Sequence, residues 1–313
     1  MNVPNFFLLG VSKAGTTSLH HYLSQHPDVV MSEPKEPLFF RAEYKRGLEH
    51  YWTTYFRHYR GEKVAGDGAP QNIYLPYVAR RIHASVPTAR LAVICRDPVE
   101  RALAAYWHNT SRSLEARSFD EAIAHNVGRL DRGLRFETEG EADRYAELAL
   151  KGYGHLGREF GFYVEPGYYA EHIERYWALF GKDRLKILYF EDLQRDAAKF
   201  VDELLDFLDL PSFELPDTKI QNPAASKTAA KVFGFAGRLP GLSLVSPQRR
   251  RQVKETLGRV LRGGKAPKPE IAAASRQQLV EHYRSHNRRL AEITGRDLSH
   301  WGRNATRDTP DGD

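Results

Sequence analysis

The chain has little cysteine and no long apolar run. Cys95 is the only cysteine among 313 residues, so no intramolecular disulfide can form, and a reducing cytoplasm is the expected location. No apolar run approaches the roughly 18 residues that a membrane-spanning helix needs. The N-terminal sequence MNVPNFFLLG has neither the basic residues nor the cleavage pattern of a signal peptide. Cysteine and histidine do not cluster in a zinc-binding pattern, and we expect no bound metal.

The chain does contain enough apolar residues for a large core, together with an excess of positive charge. Hydrophobic residues make up 41% of the 313 residues, and the net charge is +6. This length fits one large α/β domain or two domains. A basic protein suits a polyanionic partner, either a nucleotide or a nucleic acid. No nucleic-acid-binding motif accompanies the charge, so a nucleotide is favoured. A non-catalytic basic nucleotide- or nucleic-acid-binding module stays open as an alternative.

Residues 6–19, FFLLGVSKAGTTSL, predict a strand, a glycine-bearing loop and the start of a helix. Gly10 and Gly15 allow backbone N–H groups to approach an anion, and a helix N-terminus adds partial positive charge. The stretch therefore predicts a phosphate-binding loop.

The loop differs from a Walker A motif in the position of its lysine. The two glycines keep the Walker A spacing, and Thr17 occupies the Ser/Thr position. However, Thr16 stands where the lysine belongs, and Lys13 lies three residues earlier. This pattern disfavours an ordinary P-loop kinase or NTPase, which we keep as the alternative enzyme.

A second anion site is predicted after the apolar strand pattern Arg90–Cys95. Arg96 follows that strand directly, and ligands of parallel α/β sheets bind at the carboxyl ends of strands. A guanidinium there can bind a phosphate through two hydrogen bonds. Asp97 and Pro98 then predict the start of a helix, as its N-cap and its first residue.

These two segments resemble the cosubstrate motifs of sulfotransferases that use PAPS (3′-phosphoadenosine-5′-phosphosulfate). K-x-G-T-T-S-L resembles their 5′-phosphosulfate loop, and R-D-P-V-x-R-A resembles their 3′-phosphate site. The resemblance implies one α/β domain over residues 1–302, with a mostly parallel central sheet flanked by helices in a P-loop-like topology. It also implies the following cosubstrate-binding residues: Lys13, Ala14, Gly15, Thr16, Thr17, Ser18, Arg96, Arg101 and Lys227. At the position where the family has a serine, this chain has Ala104, so one hydroxyl contact is missing.

The resemblance further implies the reaction and its catalytic residues. The sulfuryl group of PAPS would pass to a hydroxyl or amine of a small-molecule, carbohydrate or lipid acceptor, without a metal, releasing adenosine 3′,5′-bisphosphate. Glu36, in a segment similar to the family's K-E-P-H-F-F, is the first candidate for the general base. Asp67 and His108 are further candidates, and Lys13 would neutralise the departing 5′-phosphate.

Three further segments carry expectations. Residues 110–169, helical and then rich in glycine and aromatics, predict an insertion that forms a flexible lid or an acceptor-binding wall. Residues 227–268 contain eleven Lys or Arg and one acid, Glu255, and are expected to hold the loop that contacts the cosubstrate or a solvated basic face. We expect residues 303–313 to be disordered.

Overall fold

The computed structural model describes residues 2–215 and 271–303. Lys227 and the tail beyond residue 303 lie outside the described residues. Five strands form one sheet in the order β2-β3-β1-β4-β5, and every strand pair is parallel. The strands are β1 (Phe6–Gly10), β2 (Val29–Met31), β3 (Val64–Asp67), β4 (Arg90–Cys95) and β5 (Leu185–Tyr189).

Helices connect and flank these strands. In the described ranges they are α1 (Thr16–Leu23), α2 (Gly47–Tyr55), α3 (Pro76–Ser85), α4 (Pro98–Ser111), α5 (Phe119–Asp131), α6 (Glu139–Lys151), α7 (Tyr153–Phe160), α8 (Tyr169–Phe180), α9 (Phe190–Arg195), α10 (Ala197–Phe207) and α11 (Ala273–Thr294). A single π-helical turn spans Phe39–Glu43. Within the same ranges, no helix is both long and apolar enough to cross a membrane.

The centre of the sheet is fully buried, which explains why its strands are continuous apolar runs. Phe6, Phe7, Leu8 and Leu9 of β1 are each 0% exposed. Strands of a parallel sheet are covered on both faces, so they carry no alternation of polar residues. The predicted single α/β domain with a parallel, helix-flanked sheet is confirmed.

The inserted region at residues 110–169 is more compact than the flexible segment that its composition predicts. Its helices α5 and α6 each begin with a capping box, formed by a Ser or Thr N-cap and a glutamate three residues later. Most of its aromatic side chains are buried, among them Phe136, Tyr145, Phe160, Phe162 and Tyr163. Tyr153, Leu134 and Leu150 are the exposed large hydrophobic side chains of this part. A role as an acceptor wall stays a prediction.

Candidate active site

The site lies where the carboxyl ends of three neighbouring strands meet. In the sheet order, β1 lies between β3 and β4. These strands end at Gly10, Asp67 and Cys95, and Arg96 follows the last of them. Three parts of the predicted site therefore lie at the same edge of the sheet: the loop after Gly10, the Asp67 carboxylate and Arg96. This follows from the parallel arrangement of the strands.

The phosphate loop depends on glycine at the start of α1. Gly15 is the N-cap of α1 and adopts a left-handed conformation with φ of 89°. A Cβ atom at this position would lie 2.6 Å from Leu193 Cδ2, so any other residue would clash. Because the N-cap residue is a glycine, it makes no side-chain hydrogen bond to the backbone amides of the first turn of α1. Such amides bind anions well.

The remaining residues of the loop follow the predicted strand–loop–helix layout. Ala14, Thr16 and Ser18 are buried, whereas Thr17 is half-buried. Lys13 itself has a positive φ of 73°, in the tight turn that precedes the helix. The loop thus presents backbone and short side chains, together with one lysine.

Arg96 joins the two motifs. Its Nη1 atom donates a 2.6 Å hydrogen bond to the backbone carbonyl of Lys13, and its guanidinium lies over the Phe190 ring at 4.6 Å. The Tyr169 hydroxyl donates to the Arg96 carbonyl at 2.8 Å. Burial lowers the pKa of the Arg96 guanidinium from its usual value. The side chain is therefore held at the loop with donors left for an anion.

Asp97 caps α4 as predicted. Its Oδ1 atom accepts from the Val99 and Glu100 amides at 2.8 and 3.3 Å, and Pro98 occupies the first helical turn. Its Oδ2 atom accepts a 2.7 Å hydrogen bond from the Gly302 amide. The carboxylate therefore joins the start of α4 to a segment 205 residues further along the chain.

Arg101 lies deeper than a ligand-contacting residue would. Its side chain is 0% exposed, and its Nη2 atom donates to the Tyr163 carbonyl. Ala104 is half-buried one turn further along α4, where the family has a serine. The Ser111 hydroxyl, at the end of the same helix, donates to the His108 carbonyl at 3.0 Å. Cosubstrate binding by Arg101 stays a prediction.

Lys13 is half-buried among other cations. Burial first, and then the positive charges of Arg112, Lys35 and Arg101, lower the pKa of Lys13 to about 7, although Glu36 opposes the shift. A bound anion would reverse this effect. Sequence reasoning did not place Arg112 here, because its position depends on where α4 ends.

Glu36 is positioned on the loop that follows β2. Its backbone has a φ of 68°, which is uncommon for a residue with a side chain. The carboxylate accepts a 3.0 Å ion-pair hydrogen bond from Lys35 Nζ and is 40% exposed. It is also close enough to Lys13 and Arg112 to affect the pKa of both. Glu36 is thus an accessible carboxylate at the cation cluster.

Asp67 is the buried carboxylate of the site. It is 1% exposed at the end of β3, and its Oδ2 atom accepts a 2.5 Å hydrogen bond from the Tyr51 hydroxyl. Burial raises the pKa of Asp67 to about 6, against the opposing effects of Tyr51 and the Arg41 charge. Asp67 is therefore a strand residue with a defined partner, not only a turn residue.

His108 completes the predicted set on the last turns of α4. Burial, followed by the charges of Lys13 and Arg112, lowers the pKa of His108 to about 3. His108 is neutral at physiological pH, and so low a pKa makes it a weak base. Of the two carboxylate candidates, Glu36 is 40% exposed and Asp67 is 1% exposed, and the choice of base stays a prediction.

The arrangement joins the predicted phosphate loop, a group of neighbouring cations and an accessible carboxylate in one α/β domain of P-loop-like topology. A family model described as "Sulfotransferase domain" matches residues 3–230. Because this match covers more than half of the chain, the chain belongs to the sulfotransferase family. The predicted enzyme class, a sulfotransferase of class EC 2.8.2, is confirmed.

Relatives support the same assignment. The membrane-associated sulfotransferase kil1 of Dictyostelium discoideum is 31% identical over 196 residues, covering 57% of this chain and 41% of its own length. Human heparan sulfate glucosamine 3-O-sulfotransferase 6 is 29% identical over 300 residues, covering 96% of this chain and 74% of its own length. The chain spans less than half of kil1. A sulfotransferase from Alicyclobacillus acidocaldarius has a similar fold, with a TM-score of 0.67 and 24% identity over 97% of this chain and 100% of that structure.

Proposed function

We propose that the chain transfers the sulfuryl group of PAPS to an acceptor hydroxyl or amine and releases adenosine 3′,5′-bisphosphate. The observation that carries this proposal is the half-buried Lys13, just before an uncapped helix N-terminus, where burial and neighbouring cations lower its pKa to about 7. A multiply charged phosphosulfate would offset the repulsion among these cations.

The chemistry follows from the arrangement of charges. The acceptor oxygen or nitrogen attacks sulfur while the bond between sulfur and the 5′-phosphate oxygen breaks, and the leaving phosphate keeps the electron pair. Glu36 takes the acceptor proton. Lys13 and the loop amides stabilise the charge that develops on the departing phosphate, and Arg96 holds the 3′-phosphate. The step needs no metal.

A carbohydrate is the first acceptor to test. Two relatives with broad coverage of this chain are named as a heparan sulfate glucosamine 3-O-sulfotransferase and a bifunctional heparan sulfate N-deacetylase/N-sulfotransferase. The chain covers 74% of the first and 31% of the second. Small-molecule and lipid hydroxyls stay in the set of acceptors. We keep the cytoplasm as the proposed location, and the single cysteine is the only observation that supports it.

Nucleotide binding is measured first, and sulfuryl transfer second. Calorimetry and thermal unfolding test adenosine 3′,5′-bisphosphate, which at about 100 times its Kd should stabilise the fold by about 2.7 kcal/mol. Labelled PAPS is then offered with heparosan oligosaccharides, p-nitrophenol and galactosylceramide. Transfer to heparosan alone supports a carbohydrate acceptor, and transfer to either of the others changes the acceptor class. Absence of binding contradicts the proposal, and Mg-ATP hydrolysis in its place indicates the NTPase alternative.

A further inference from the structure

The buried Arg41 lies behind the candidate base and outside the cosubstrate loop. Arg41 belongs to the π-helical turn Phe39–Glu43 and is 3% exposed. Within residues 2–215 and 271–303, no carboxylate lies within ion-pair distance of its guanidinium. A buried charge without a direct counter-ion is costly, and an apolar residue of similar size would avoid that cost. The position therefore calls for a specific explanation.

The guanidinium holds the backbone of the Glu36 loop. Its Nη2 atom donates to the carbonyls of Glu36 and Pro37 at 3.2 and 3.0 Å. These two carbonyls belong to the two consecutive peptides that follow the left-handed Glu36 residue, whose φ is 68°. One planar fork therefore fixes the segment from which the Glu36 carboxylate projects.

The other end of the fork reaches the loop that follows Asp67. Arg41 Nη1 donates to the Gln71 side-chain carbonyl, which also accepts a 2.8 Å hydrogen bond from the Tyr145 hydroxyl of α6. The Tyr77 hydroxyl donates to the Arg41 backbone carbonyl at 3.0 Å and holds the turn itself. Arg41 thus ties the Glu36 loop, the segment after β3 and the inserted region together.

The charge of Arg41 also acts on both candidate carboxylates. It opposes the increase that burial causes in the pKa of Asp67. Glu36 in turn favours the charged form of Arg41. Because neither carboxylate contacts the guanidinium directly, both keep their oxygens for other partners while they feel a fixed positive charge.

We propose that Arg41 is a positioning residue for proton abstraction: it fixes the backbone of Glu36 through its forked hydrogen bonds and places a fixed positive charge behind the carboxylates of Glu36 and Asp67. This inference rests on the proposed function, because it assigns Arg41 a part in the step that Glu36 performs. It does not involve the binding of adenosine 3′,5′-bisphosphate.

Three variants separate the hydrogen-bonding fork from the charge. Arg41→Lys keeps the charge but lacks the planar fork. We expect its kcat to fall about tenfold, whereas the pH at which kcat/KM falls on the acidic side (the acidic limb) should stay unchanged. Arg41→Met and Arg41→Gln also remove the charge. In both, the acidic limb should move to higher pH by about one unit, because the carboxylates lose a favourable cation. Arg41→Gln keeps an amide donor and serves if Arg41→Met does not fold.

Arg81→Met is the matched control. Arg81 donates to the Phe40 carbonyl of the same π-helical turn at 2.9 Å, but its counter-ion is Glu139 at 3.1 Å. Loss of this arginine should lower thermal stability while the acidic limb stays in place. The affinity for adenosine 3′,5′-bisphosphate should remain within about threefold of wild type in all of these variants.

Three acceptors are compared first: heparosan, p-nitrophenol and galactosylceramide. The kinetic measurements then use the one that the wild-type protein turns over fastest. In parallel, ¹³C NMR follows the glutamate carboxyls of the protein saturated with adenosine 3′,5′-bisphosphate, with Glu36 assigned through Glu36→Gln. A raised Glu36 pKa in Arg41→Met supports the inference even if no acceptor is turned over. An unmoved titration and acidic limb, or an equal loss of nucleotide binding and turnover, overturns it. Failure of wild type to bind the nucleotide overturns the proposed function instead.

Discussion

The Nη1 atom of Arg96 donates a 2.6 Å hydrogen bond to the backbone carbonyl of Lys13, which lies 83 residues earlier. The two sequence motifs are thus parts of one rigid site and not two independent anion-binding loops. The Arg96 guanidinium also rests on the Phe190 ring at 4.6 Å, which fixes the plane of its remaining donors.

Replacing Arg96 should weaken cosubstrate binding. Arg96→Met removes both the bond to the Lys13 carbonyl and the proposed bond to the 3′-phosphate. Hydrogen bonds to charged groups contribute about 1.5–3 kcal/mol, so we expect the affinity for adenosine 3′,5′-bisphosphate to fall about 10- to 100-fold by calorimetry. Arg90→Met, at the opposite end of β4, is the control, because Arg90 donates to the Phe207 carbonyl at 2.7 Å. Equal losses in both variants would argue against a direct role for Arg96.

The cosubstrate affinity should depend on pH through Lys13. Because the pKa of Lys13 in the free protein is lowered to about 7, the amine is increasingly neutral above that pH. The charged form binds the anion, so affinity should decrease by up to about tenfold per pH unit between pH 7 and 9. Calorimetry at pH 8 in two buffers of different ionisation enthalpy should detect uptake of nearly one proton.

Lys13→Ala is the test of that assignment. It should abolish the pH dependence and lower kcat about 10²- to 10³-fold, because the leaving phosphate loses the loop cation proposed to stabilise it. Lys45→Ala provides the control, since the Lys45 side chain is 77% exposed and pairs with Asp143 at the surface. Turnover of Lys13→Ala within a few-fold of wild type would rule out the proposed role of the loop lysine.

Loss of the Glu36 carboxylate and loss of the Asp67 carboxylate should lower turnover by different amounts. Glu36→Gln removes the accessible base and should lower kcat about 10²- to 10⁴-fold with little change in nucleotide affinity. Asp67→Asn should cost less turnover, because Asp67 is buried and accepts from Tyr51. Steady-state kinetics over pH 5–9 distinguish the two. If Glu36→Gln is as active as wild type, the base lies elsewhere, and a larger loss in Asp67→Asn would point to that residue.

A pair of glycine variants tests the shape of the loop. Gly15→Ala introduces a Cβ into a left-handed conformation and against Leu193, at 2.6 Å. Gly295→Ala is the matched control, because Gly295 is also left-handed, with a φ of 69°, but has no atom within 4 Å of the added carbon. We expect Gly295→Ala to lower the free energy of unfolding by about 1 kcal/mol and Gly15→Ala by about 2–4 kcal/mol. Equal losses in denaturant titrations would show that the contact with Leu193 has no cost.

The sequence predicted the parts of the site that depend on local chemistry. A run of apolar residues followed by glycine, and an Asp-Pro pair after another such run, specify their own strands, turns and caps within a few residues. The structure confirms β1, β4 and the Asp97 cap for this reason. The family assignment followed from the same short motifs.

The surroundings of the carboxylates could not be predicted in this way. The contact between Arg41, in a π-helical turn, and Gln71, on a loop, joins residues 30 positions apart, and neither residue type signals a partner. Arg112 reaches Lys13 only because α4 runs for 14 residues from the edge of the sheet. Such positions follow from how loops and helices pack in three dimensions, which no local pattern encodes.

The hydrogen bond from the Gly302 amide to Asp97 has a consequence for synthesis of the protein. The helix that follows Arg96 obtains the last donor to its capping carboxylate from a residue 205 positions later. Domains form as the chain leaves the ribosome, N-terminal parts first. The bonds from the Val99 and Glu100 amides to Oδ1 can form as soon as this part of the chain has been made, whereas the bond to Oδ2 forms only after residue 302 has been added and has emerged.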